Sequence, residues 1–502
     1  MTRALATVAV VLLLVLAGCS SFSGGTPTSE ATPTPEPEPV STPTPTTETA
    51  TTEPTATATR SADDPYADPA SDVLGWEDGY WYDEQIDVDQ SDGLTDAELA
   101  AYVGRAKARV EQLRRQEFTR DVRIEVLTRE AFAERERERS LEGPEDPEYN
   151  RWNNQVWEAL FVVDEDADIS RAFDSLGETL ILGQYFRGED ALLVVSDDPE
   201  RPVVDNETLV HELVHALQDQ QYNLSAPQYD PQTQDAQLAR NGLTEGEAEY
   251  VTTRYVELCG TEWDCVTTPA SNRPTPDYSQ LNLGVVLVVV QPYGDGTAYV
   301  HSLVERGGWD AVDAAHADVP RSTERIMHRR ADDEIRPLSV PDTARNGWER
   351  YDVADVADEG ADTAGEASIY VMFWYQGYRY GNEVIDRSTV LPPDAGRYDT
   401  YNFTSAPSQG WGNDKIVPYK NGEEDGYVWL STWDTERDAR EFHDAYLRVL
   451  EGHGAEQLAD STWVIEDGGF ADAFYVVRDG RRVVVVNGPT VDDLGDISAD
   501  AR

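Results

Sequence analysis

The run Leu209-Val210-His211-Glu212-Leu213-Val214-His215-Ala216-Leu217 places its apolar residues around most of a helix circumference, leaving two histidines and a glutamate as its polar positions. Asp205 or Asn206 suits the N-cap and Glu207 the first turn. A second helical stretch is expected from about Ala236 to Leu258. Upstream, Thr95-Asp96-Ala97-Glu98 forms a capping box opening a helix to about Arg115. Val122 to Leu127 alternates as a strand, and helices are expected over 129–139 and around Trp152 to Phe161. Leu180 to Phe186 and Ala191 to Val195 read as a hairpin around Arg187-Gly188-Glu189-Asp190. Downstream, Gln291-Pro292-Tyr293-Gly294 and Gly307-Gly308-Trp309 bracket a helix containing His301, and Ser322-Thr323-Glu324 starts another before His328. From about residue 395 the pattern changes to a strand at Tyr427 to Thr432, an amphipathic helix from Asp434 to Leu450, and a Phe474 to Val486 hairpin with an Asp-Gly turn. The expected class is α+β, with a larger domain over 64–394 and a smaller C-terminal α+β domain over 395–502.

At 3.6 residues per turn, His211 and His215 stand one above the other, so both rings can reach one metal ion. Glu212 projects beside that ion and suits the general acid-base role of peptide hydrolysis. With only 7 His in 502 residues, this spacing is a specific signal. It resembles the zinc metallopeptidase signature. The third ligand sorts the families, and residues 216–244 contain no histidine. Thirty positions after His215 comes Leu243-Thr244-Glu245-Gly246-Glu247-Ala248-Glu249-Tyr250. Here the chain resembles the gluzincins, in which a glutamate on a following helix completes the zinc site. The local form is similar to the Asn-Glu-Gly-hydrophobic-Ala motif of aminopeptidase-type gluzincins, whose first glutamate corresponds to Glu245. Glu247 stays open as a rival ligand.

The resemblance implies a zincin-like metallopeptidase domain holding Zn2+ through His211, His215 and Glu245, with a peptide or protein as substrate. Aminopeptidase action is not implied, because no Gly-Ala-Met-Glu-Asn-type segment occurs. It also implies a strand rimming the cleft with its free edge, assigned to residues 190–196. Gly242, Gly246 and Ala248 would let the two helices of the site approach closely. Glu249 is placed to orient a ligating histidine, and Tyr250, Tyr293, His301 and His328 are candidate oxyanion donors.

The charge changes the picture of the surroundings. Asp+Glu total 96 against 40 Lys+Arg, a net charge of −56, and the lysines are only Lys107, Lys415 and Lys420. This balance opposes nucleic-acid binding and requires a strongly screening solvent. Together with the helix pair, the Tyr-Gly segment and the Gly-Gly-Trp turn, it makes residues 90–490 similar to exported metallopeptidase-like proteins, including haloarchaeal surface lipoproteins.

Arg3 precedes an apolar run from Ala4 to Leu16, too short to span a bilayer but long enough for a signal-peptide core. Leu16-Ala17-Gly18-Cys19 resembles a lipobox, which implies cleavage after residue 18, lipidation of Cys19 and anchoring at the outer face of the cell membrane. Residues 19–63 are rich in Ser, Thr, Pro and Glu and read as a disordered stalk. Export makes a disulfide between Cys259 and Cys265 the natural expectation. Asn206, Asn223 and Asn402 open N-glycosylation triplets, the first very near the candidate site. The alternative function is a non-catalytic surface binding or envelope-structural protein that keeps a vestigial or structural zinc site.

Overall fold

The computed structural model describes residues 64–142, 147–180, 182–269, 281–353, 356 and 360–502. The signal segment, Cys19 and the stalk lie outside the described residues. The class is α+β. Twelve helices are labelled in chain order: α1 (Asp96–Arg114), α2 (Arg129–Glu142), α3 (Pro147–Ala159), α4 (Ile169–Leu180), α5 (Asn206–Tyr222), α6 (Gln234–Leu258), α7 (Leu283–Gly307), α8 (Trp309–Ala317), α9 (Thr323–Met327), α10 (Gly365–Tyr375), α11 (Glu436–Gly452) and α12 (Val491–Ile497). No helix among the described residues is long and apolar enough to cross a membrane.

Local chemistry accounts for the helices that frame the site. Thr95 and Glu98 complete the capping box of α1, each side chain bonding the other's backbone N–H. Asp205, not Asn206, caps α5 by accepting from Thr208 N–H at 3.0 Å. Two boundaries differ from expectation. Leu180 ends α4, because Ile169, Phe173 and Leu176 recur at helical spacing and pack inward. The Gln-Pro-Tyr-Gly segment lies inside α7, not at a turn. Burial of Val285 to Val290 on all sides of that helix offsets the roughly 3 kcal/mol cost of Pro292.

The first small sheet pairs β1 (Trp76–Glu77) with β2 (Tyr80–Trp81). The second has the order β3-β5-β4, built from β3 (Arg123–Leu127), β4 (Gly183–Phe186) and β5 (Ala191–Val195). Here the structure corrects the assignment of the free edge. β5 is the central strand, parallel to β3 and antiparallel to β4, so the edges are β3 and β4, and α5 packs against β4 and β5. The uninterrupted apolar run of β5 is what a strand paired on both sides requires.

The remaining strands form one antiparallel seven-stranded sheet in the order β6-β7-β8-β12-β11-β10-β9. Its members are β6 (Glu349–Arg350), β7 (Trp411–Asn421), β8 (Glu424–Trp433), β9 (Glu456–Ala459), β10 (Thr462–Val464), β11 (Ala473–Asp479) and β12 (Arg482–Gly488). The tip of the β11–β12 hairpin is Gly480-Arg481, with Gly480 at φ +58°, one residue beyond the expected Asp-Gly position. Alternation divides the sheet's two faces. Ile416, Trp429 and Val485 join α3, α7, α10 and α11 in one large core, while Val417, Val428 and Val486 pack with Leu494 and Ile497 of α12. That large core crosses the boundary expected at 394/395, and β6 brings residues from before it into the sheet.

α6 and α7 cross backbone to backbone. A Cβ on Gly246 would stand 2.2 Å from the Gly296 carbonyl carbon, and one on Gly296 would stand 2.2 Å from Gly242 O. The expectation that Gly242 and Gly246 ease the contact of α6 with α5 is therefore corrected. They serve the contact with α7, and Gly242 also meets Ile326 of α9. Ala248 does pack with Leu213 and Val214 of α5. One residue along α6 is about 100° around it, so Glu245 faces α5 while Gly246 faces α7. Gly246→Ala is expected to cost about 1–3 kcal/mol or more through overpacking and to lower metal retention by displacing its neighbour Glu245. Thermal melting and metal content check this, and an unchanged melting temperature would contradict the close crossing.

Candidate metal centre

His211 and His215 come from the middle of α5, and Glu245 from the second turn of the glycine-flanked stretch in α6. Their donor atoms converge. His211 Nε2 and His215 Nε2 lie 3.2 and 3.1 Å from Glu245 Oε2, and 3.1 Å from each other. Ligands at about 2.0–2.1 Å from a tetrahedral zinc ion stand about 3.3 Å apart, so the three atoms already have the spacing of one face of such a site. The donor set also fits in charge. Two neutral imidazoles and one carboxylate leave a divalent ion one net positive charge and a fourth position.

The groups are sealed in. His211, His215 and Glu245 are 3%, 2% and 3% exposed, and Glu212 is fully buried. Burial raises the Glu245 carboxyl pKa, yet His215 and His211 outweigh it and hold the group below the usual range. Burial opposes a charged His215, but the adjacent Glu245 carboxylate prevails and lifts it to about 9. The pocket thus favours positive charge against Glu245.

Glu212 is set apart from this triad. Its Oε2 accepts from the Tyr185 backbone N–H of β4 at 2.8 Å, and its Oε1 is buried without a hydrogen-bond partner. Burial pushes its carboxyl up to about 7, with the Glu245 charge adding to the effect while His215 and the Tyr185 N–H oppose it. One oxygen is fixed on the strand and the other is kept free.

Gln218, one turn after His215, is the positioning group that sequence reasoning missed. Its Nε2 donates to Thr244 O at 2.9 Å and to Glu247 Oε2 at 2.8 Å, which fixes the amide with Oε1 toward His215 Nδ1, also 2.9 Å away. An oxygen can only accept there, so Nδ1 keeps its proton and Nε2 is the nitrogen that would give up its proton to a bound metal ion. The i, i+3 spacing from His215 is the signal that places Gln218 on that face.

Glu247, the rival ligand, belongs to a neighbouring network. It pairs with Arg114 of α1 and lies 2.6 Å from His316 Nε2 of α8, whose Nδ1 meets the Tyr229 hydroxyl at 2.9 Å. Burial raises its pKa, but Arg114 and His316 outweigh that and keep it ionised. This network ties α1, α5, α6 and α8 together behind the ligands.

The other expected residues are placed as follows. Glu249 Oε2 stands 3.8 Å from His211 Nδ1, beyond hydrogen-bond reach. The Tyr293 ring of α7 lies nearly parallel to that of His211 with centroids 6.0 Å apart. Tyr250 and His301 instead pack with each other and with Tyr398, since Tyr250 lies about 140° around α6 from Glu245. His328 bonds Glu366 at 2.8 Å and lines a cleft of about 400 Å3 with Asp295, Arg329, Tyr401 and Asn402. Cys259 and Cys265 form a disulfide whose loop contacts α1 through Arg109, which donates to Asp264 O and covers the Trp263 ring. Among the glycosylation triplets, Asn206 accepts from the Tyr102 hydroxyl, Asn402 is held by Thr404 of its own triplet, and Asn223 is exposed at the end of α5.

Residues 349–498 match a family described as a domain of unknown function (DUF8575). The matched stretch is the sheet-bearing half and contains neither the triad nor Glu212. No curated protein and no solved structure matches the chain.

Gln218→Leu removes the acceptor that fixes the His215 tautomer. It is expected to weaken metal binding about 10–100-fold in a chelator competition, as losses of such partners do. An unaltered affinity would mean that His215 is oriented by something else.

Proposed function

We propose that this protein is a zinc-dependent peptidase of gluzincin type, held at the outer face of the cell membrane by a lipid on Cys19. The convergence of His211 Nε2, His215 Nε2 and Glu245 Oε2 within 3.1–3.2 Å carries the reading. A zincin-like arrangement agrees with it: the β3-β5-β4 sheet lies against the histidine helix, and a second helix supplies the glutamate. Zinc held by these residues would supply Lewis acidity at a substrate carbonyl and make a water acidic near neutrality.

The chain's own groups do the rest. Glu212, with Oε1 unpartnered and its carboxyl near neutrality, takes the proton of the attacking water and passes it to the leaving amine. The Tyr185 N–H holds its other oxygen, so the base stays aimed while the proton moves. Tyr293, beside the His211 ring, is the candidate for stabilising the developing oxyanion. β4, as an edge strand, is the element on which an extended peptide would align. The acidic composition supports a high-salt environment for the protein.

The burial of all three ligands favours a second reading, a structural or vestigial zinc site in a surface binding protein. A purely structural site has no use for Glu212, however. An unpartnered carboxylate oxygen in a dry interior is costly to keep, and catalysis gives it a purpose. Glu212→Gln is expected to retain zinc and the folded state while losing peptide cleavage by about 10²–10⁴-fold, measured on an unstructured protein substrate in molar salt. Undiminished cleavage would remove Glu212 from the mechanism. No cleavage by the zinc-loaded wild type would favour the structural reading.

A further inference from the structure

A second group of ligand-type side chains lies away from the histidine helix, where the helical half meets the sheet. Glu158 lies in the last turn of α3, Glu165 follows in the next loop, and Asp472 immediately precedes β11. One carboxylate oxygen from each lies within 4.8 Å of the other two. A single cation can therefore reach all three, and Ca2+, which takes about 6–8 oxygen ligands, suits a protein-oxygen cluster better than Mg2+, which keeps several waters and uses one or two carboxylates.

The carboxylates do not stand alone. Gln155 donates through Nε2 to Glu158 Oε2 at 2.6 Å, and Asn487 donates through Nδ2 to Asp472 Oδ2 at 2.7 Å. Each amide is thereby anchored on the cluster through its nitrogen. Gln155 Oε1 and Asn487 Oδ1 are both buried with no hydrogen-bond partner, in residues only 7% and 0% exposed. A buried amide oxygen without a partner, in a side chain whose nitrogen is bonded to the cluster, is the kind of group a cation held there would satisfy.

The electrostatic surroundings agree. The charges acting on Glu158 are Asp472, Glu165 and Asp425, and those on Asp472 are Glu165, Asp425 and Asp493, every one negative. Burial, with this repulsion behind it, raises the pKa of Glu158 and Glu165 and lifts Asp472 to about 7. Glu165 is exposed, which gives an ion a way in, and its backbone N–H donates to Gly469 O at 3.0 Å across the same junction.

We infer that Glu158, Glu165 and Asp472, with the amide oxygens of Gln155 and Asn487, form a binding site for a calcium-type cation that ties the helical half to the sheet. The ligands are all hard oxygens, in contrast to the nitrogen-rich triad, so the two sites select different metals. The ion offsets the carboxylate repulsion and joins α3 and its following loop to β11 and β12.

Equilibrium dialysis of the full chain against CaCl2 in molar NaCl, followed by thermal melting, tests this. Wild type is expected to retain about one Ca2+ per chain more than Asp472→Asn or Glu165→Gln, and to gain several degrees of melting temperature that the variants do not. Glu165 is exposed, so its variant keeps the comparison valid if Asp472→Asn fails to fold. Equal retention and equal thermal response in wild type and Glu165→Gln would overturn the site. Equal retention of Mg2+ from MgCl2 would overturn its calcium-type coordination.

Discussion

A buried carboxylate and two buried imidazoles share a space about 3 Å across, and the surrounding helices are arranged to keep them there. Such a grouping is costly in a dry interior unless a cation answers the Glu245 charge. Three contacts hold it. The backbone crossing of Gly246 on Gly296 sets where α6 lies, the Gln218 amide sets the His215 ring, and the Arg114–Glu247–His316 network locks α1 and α8 behind them. Each acts on a residue within one turn of His215 or Glu245.

The sheet-bearing half is more than an appendage. Trp429 and Val485 of the sheet share one core with Trp157 of α3, Val286 of α7 and Met372 of α10. α7 belongs both to that core and to the crossing with α6, so disturbance in the sheet can reach the helix on which Tyr293 sits. The acidic cluster at Glu158 and Asp472 lies on the same seam. A high-salt medium screens surface repulsion well but reaches buried carboxylates poorly, so these need specific partners, as Glu247 has in Arg114 and His316.

Part of the site was legible from spacing alone. His211, Glu212 and His215 follow from a period of 3.6, whereas Glu245 rested on the resemblance of its stretch to the gluzincin motif, with Glu247 left open. The parts that escaped depend on partners distant in the chain. β5 is not an edge, because β3, some 60 residues before β4, pairs with its other side, and no local pattern encodes that. Gly242 and Gly246 announced a close approach but not its partner, since Gly296 lies in a helix whose Pro292 reads as a turn. β7 was hidden by Asn413, Asp414, Lys415 and Pro418, tolerated because β6 covers only its far end and Asp414 is bonded by Trp411 and Trp429. With β7 unseen, the change of pattern near residue 395 looked like a domain boundary when it is a loop within one core.

Zinc content per chain tests the central claim most directly. Elemental mass spectrometry on the full chain, purified in molar salt with zinc supplied, should give about one zinc for wild type and markedly less for Glu245→Ala. A folded wild type without bound metal, or a Glu245→Ala protein that holds as much zinc as wild type, would contradict the site built from His211, His215 and Glu245.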